Sequence, residues 1–131
     1  MVMINTILAK LFGSLGLLLS VWFMHLIPIA MIGGPCWYLG RNRVRWTLWD
    51  YSIIILPFAV WATLMWIHDG GKTLANLSSE GIIIGLVASI TPLLRVIIRD
   101  RVNQKWTAIT FLICLCLLSI GLWAFVPALP E

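Results

Sequence analysis

Charge is what this sequence has least of. Nine lysines and arginines and five aspartates and glutamates make 11% of its 131 residues charged, while 61% are hydrophobic. Ordinary globular chains run at about 25% charged. The shortage excludes a water-soluble globular domain, because too few polar groups exist to cover its surface. A bilayer removes the conflict by accepting apolar side chains on the outside.

Other absences narrow the reading. There is no polar linker, low-complexity tract or tail of like charge, and no period of 20 to 50 residues that would mark a solenoid. One polytopic domain over 1–131 is expected. The basic residues flank apolar runs, so a nucleic-acid partner is not expected. Cysteine is sparse. Cys114 and Cys116 are two apart and point in different directions on a helix, which rules out a disulfide between them. No cysteine pair has zinc or thioredoxin-like spacing, and all three read as small packing residues. Ser–His–Asp sets, Walker loops, HExxH and paired carboxylates are all missing, which weighs against an enzyme. No cofactor or metal is expected either. The histidines, His25 and His68, fall at different depths and suit no bis-histidine haem. His68 and Asp69 are too few for a metal site, and Asp69-Gly70 reads as a turn.

What the sequence does have is four apolar stretches between its charges. Leu11 to Gly40, Tyr51 to Ile67 and Trp106 to Pro130 carry no charge, and Gly81 to Leu94 none until Arg95. A hydrocarbon core of about 30 Å needs roughly 20 helical residues, and backbone groups in lipid must be paired within the segment. The spacing predicts helices over about 11–33, 50–67, 81–99 and 106–126. The fold class is all-α, an integral membrane four-helix bundle with short loops. Gly33-Gly34-Pro35 reads as a helix stop, Pro57 and Pro92 as bends, and Ser78-Ser79-Glu80 as the cap of the third helix. The first stretch is too long for a signal peptide and lacks a plausible cleavage site, so it is expected to be retained.

The charges also give an orientation. Arg41, Arg43 and Arg45 fall between the first two spans, and Arg95, Arg99, Arg101 and Lys105 at or between the last two. Only Lys10 and Lys72 fall on the other side. Basic residues are held on the cytoplasmic face during insertion, so both termini are expected outside, in the inner (plasma) membrane of a bacterium. Arg41, Arg43, Arg45, Arg99, Arg101 and Lys105 are the topology determinants. Trp37, Trp46, Trp49 and Trp106 gather at the same boundary, where indole places its ring in apolar surroundings and its N–H toward water.

Few residues could carry function. Gly81, Gly85 and Ser89 repeat at intervals of four and form a small-residue stripe for close helix packing, against the chain's own helices or a partner. Arg95 lies about one turn deeper than Arg99 and is expected to snorkel to the headgroups; alternatively it faces inward, with Asp50 as its acidic candidate. His25, near mid-depth, reads as a buried structural histidine bonded to a neighbouring helix. These features favour a non-catalytic membrane protein acting through helix contacts, an accessory or assembly subunit or an immunity-type factor, with lipid and a membrane-protein partner or a second copy as its company. The alternative is a small oligomeric channel or transporter using His25 and Arg95; a redox or quinone-associated subunit ranks below it.

Overall fold

Gly33, Gly34 and Pro35 do not end the first helix. In the computed structural model, which describes residues 2–67, 72–98 and 103–130 with side chains from residue 13 onward, α1 (Val2–Pro28) passes through a single π turn (Ile29–Gly33) and continues as α2 (Gly34–Gly40). Proline has no N–H to give, and its ring crowds the carbonyl four residues back. The ladder widens just ahead of Pro35: the Gly34 N–H donates to the Ile29 carbonyl, five residues away where an α-helix would span four. Gly13–Gly40 is consequently one apolar helix of 28 residues.

The second stretch is interrupted instead. α3 (Leu48–Tyr51), a 3-10 turn (Ser52–Ile54) and α4 (Leu56–Ile67) follow one another, and the two halves meet at 41°. Pro57 withholds the N–H that the Ile53 carbonyl would accept, which locates the break. Trp22 of α1 reaches into it, its indole N–H lying 3.4 Å from the Ile54 carbonyl.

The third helix starts earlier than position 81, and its cap differs. α5 (Leu74–Ile98) opens on Thr73 and Asn76. The Thr73 hydroxyl accepts from the Asn76 N–H, and the Asn76 side-chain oxygen accepts from the Thr73 N–H, both at 3.4 Å. This is the reciprocity of a capping box with asparagine in the acidic position. Ser78 and Ser79 turn back onto the helix, donating to the Leu74 and Ala75 carbonyls. α6 (Gln104–Phe125) opens on Asn103, whose side chain accepts from the Lys105 N–H. Arg99, Arg101 and the His68-Asp69-Gly70 turn lie outside the described residues. Among the described residues, three helices are long and apolar enough to cross a membrane, and the bent pair makes a fourth if it counts as one span.

α5 is the centre of the packing. α1 runs along one side of it and α6 along another, while α4 lies on α6 and touches α1 little. The two glycines of the small-residue stripe are used within the chain: a Cβ on Gly85 would collide with the His25 carbonyl oxygen, and one on Gly81 would fall 2.9 Å from a Val21 methyl. Ser89 is buried, with its hydroxyl on the Leu86 carbonyl. Gly85→Ala should therefore lower the melting temperature in detergent, with an overpacking cost of about 1–3 kcal/mol, and Gly81→Ala should do less because a valine methyl can move. A Gly85→Ala protein melting like wild type would exclude this contact.

Candidate functional site

Part of this protein's charge lies inside it, and much of its hydrocarbon lies outside. His25, Asp50, Asn76, Glu80 and Arg95 are all buried, whereas Met31, Leu39, Ile97 and Phe125 are among many exposed apolar side chains. In water that arrangement would be doubly unfavourable; in lipid the outer surface is matched to its solvent. Together with the length of the helices, it defines an integral membrane protein.

At one end sits the pair formed by Asp50 of α3 and Arg95 of α5. Arg95 Nε donates to Asp50 Oδ1 at 2.7 Å, and Nη2 lies 3.4 Å from both Asp50 Oδ2 and the Arg45 carbonyl. Asp50 Oδ2 also accepts from the backbone N–H and hydroxyl of Thr47, each at 2.8 Å. Asp50 is thus the counter-ion of Arg95 and the brace for the start of α3. Arg95 does not snorkel: its side chain is 1% exposed, because a carboxylate is available inside at the same level. The sequence separately placed both residues at this boundary, and the structure brings them together.

Around the pair, Arg41, Arg43, Arg45 and Lys105 are exposed, with the Arg41 guanidinium 4.4 Å from the centre of the Tyr38 ring. Trp37 and Trp46 depart from the interfacial expectation. Their rings pack edge to face, 6.3 Å apart, and both indole nitrogens are buried without an acceptor.

At the other end lies a cluster that the sequence reading missed. Glu80 is fully buried in α5. Its Oε1 accepts from Lys72 Nζ at 2.6 Å and from Asn76 Nδ2 at 3.1 Å, and its Oε2 from the indole N–H of Trp61 at 2.8 Å. Lys72 donates further to the Val126 and Leu122 carbonyls. The Asn76 amide holds the segment after α6 at two points, donating to the Pro127 carbonyl and accepting from the Leu129 N–H. Reading Glu80 as a cap hid it. The available signal was Asn76 and Glu80 four apart on one side of a helix, with Lys72 a further four residues back, just before α5 begins.

Between the two ends stands His25. It is buried and stacked on Phe58 with centroids 5.5 Å apart, and neither ring nitrogen has a hydrogen-bond partner. The histidine is buried as expected; backbone of Ile53, Ile54 and Gly81 lies near the ring, without a full hydrogen bond to either nitrogen. Among the described residues, no three metal-ligating side chains come together.

Two grooves beside α1 mark the apolar exterior. One, between α1 and α4, consists of adjoining hollows of about 180 and 330 Å³ that share Leu18 and Ala62. The other, about 560 Å³ and lined by apolar residues including Ile27, Met31 and Leu86, lies between α1 and α5. The chain matches no family model, no curated protein and no solved structure.

Proposed function

We propose that this is a non-catalytic membrane protein that works by contact with another membrane protein, as an accessory or assembly subunit or an immunity-type factor. The observation that carries the reading is how the buried charges are used. Arg95 is engaged by Asp50, and Glu80 by Lys72, Asn76 and Trp61, so these groups serve cohesion of the chain. Gly81 and Gly85 are likewise taken up by α1, and the apolar groove between α1 and α5 is the surface for a partner's helix. Small side chains and shape fit drive such association in lipid, where the hydrophobic effect contributes little.

We further propose that the chain forms four spans in a bacterial inner membrane with both termini outside. The charge bias supports this orientation, and so does a contact at each end. Arg95 meets the Arg45 carbonyl at the arginine-rich end, and Lys72 meets the end of α6 at the other. The channel alternative retains one point in its favour, the unbonded nitrogens of His25, but its second residue, Arg95, is committed to Asp50.

The test is co-purification from the native membrane in mild detergent, read by native mass spectrometry, with a reporter at the C-terminus. Wild type should carry a stoichiometric membrane-protein partner. Ile27→Trp with Met31→Trp, which fills the α1–α5 groove, should lose it while melting normally. A chain that emerges alone under all conditions would refute the contact role, and reporter activity solely in the cytoplasm would refute the orientation.

A further inference from the structure

The arginine-rich end holds three buried N–H donors that find no acceptor among the described residues: Nε1 of Trp37, Nε1 of Trp46 and Nη1 of Arg95. Native proteins leave few such groups unpaired. These three gather around one stretch of α5. The Trp37 ring and Pro92 meet over Gly33, and the Trp46 ring and Val96 meet over Gly40. Arg95 is the residue before Val96, and its Nη2 touches the carbonyl of Arg45, the residue before Trp46. These three groups are all donors, and one bears a full positive charge. Asp50 occupies Nε and shares Nη2, leaving Nη1 directed elsewhere.

A set of donors around a guanidinium calls for an oxyanion with several acceptor oxygens. Phosphate meets that demand, since its oxygens accept from arginine and from indole N–H groups at once. Arg41, Arg43 and Arg45 are exposed on the segment that leads into Trp46, and their charge favours an anion over a neutral acceptor. Tyr38, Leu39 and Leu48 are strongly exposed beside them, an apolar surface on which acyl chains can lie.

We propose that Trp37, Trp46 and Arg95 bind the phosphate of an anionic phospholipid from the leaflet at this end of the protein. The phosphate enters beside the irregular 45–47 segment and displaces the Arg45 carbonyl from Nη2, a contact already stretched to 3.4 Å. The Asp50 pair stays in place and keeps Arg95 oriented. This site is separate from the α1–α5 groove, so it stands or falls independently of the partner reading.

The full chain in mild detergent is titrated with phosphatidylglycerol, phosphatidylcholine or inorganic phosphate, and bound lipid is counted by native mass spectrometry. One phosphatidylglycerol should be retained in about tenfold preference to phosphatidylcholine, because both offer the same phosphodiester oxygens but the choline cation is repelled by Arg95 and the neighbouring arginines. Trp37→Phe with Trp46→Phe removes two donors and keeps the aromatic packing. That variant should lose about tenfold in phosphatidylglycerol binding yet melt no lower than wild type in lipid-free detergent. If the double variant does not fold, each single exchange is read in the same way. Trp66→Phe, at an exposed tryptophan at the far end of α4, should leave binding unchanged. Equal retention of the two lipids, full binding by the phenylalanine variants, or an equal loss from Trp66→Phe would overturn the site. Displacement of the lipid by millimolar inorganic phosphate would overturn the lipid assignment in favour of a free phosphate.

Discussion

Arg95→Gln should be among the most damaging single substitutions in this protein, lowering stability by about 3–5 kcal/mol. Removing the guanidinium leaves Asp50 charged in an interior that excludes water, with only Thr47 to satisfy it. Asp50→Asn should act similarly from the other side by stranding the cation. The two losses should not add. Once one partner is gone, neutralising the other removes an uncompensated charge, so the double variant Asp50→Asn with Arg95→Gln should be more stable than the summed single effects require. A coupling of about 0.5–3 kcal/mol is usual for side chains in direct contact. Unfolding in mixed micelles, followed by circular dichroism across the four proteins of the cycle, measures it. Single effects that simply sum would mean that the 2.7 Å contact contributes nothing of its own.

Glu80→Gln should be comparably severe and leave a distinct signature. The carboxylate receives three donors from α4, α5 and the segment just before α5. Its loss strands Lys72, which is 15% exposed, so the cost falls at the lower end of about 3–5 kcal/mol. Lys72 and Asn76 also hold the chain after α6 through the Val126 and Pro127 carbonyls and the Leu129 N–H. Hydrogen exchange in Glu80→Gln should accelerate first at Leu129, before the α6 amides. Lys72→Met added to Glu80→Gln should recover part of the lost stability, because the unpaired cation is then gone. Unchanged protection at Leu129 would show that Glu80 does not hold this segment.

Membrane character and helix content were legible because they depend on composition and on lengths that a few charges mark out. Asp50 and Arg95 could be paired on paper because both stood at one boundary, each with few rivals of opposite sign. Three other features escaped for physical reasons. Gly33-Gly34-Pro35 looks like a stop if an α-helix is the sole continuation, but a π turn absorbs the missing donor, and local sequence does not announce it. Arg95 had two ways to be satisfied, outward to headgroups or inward to a carboxylate, and tertiary packing decided between them. Glu80 follows two serines and so resembles a cap; its burial becomes evident only when the helix is extended back to Leu74, which places it beyond the first turn. Trp61, its indole donor, lies nineteen residues away on α4, and no pattern within one helix could have named it.

The π turn at Ile29–Gly33 has a geometric effect along the whole interface. Val21, His25, Ile29 and Gly33 are all buried, a column spaced by four. On an α-helix each step of four overshoots a full turn of 3.6 residues by about 40°, so such a column winds steadily off the face it began on. A turn that holds more residues takes some of that rotation back. It resets the azimuth of α1 midway, letting one nearly straight seam follow α5 from Gly81 to Pro92, and it brings the Trp37 indole over the same neighbour that Val21 began.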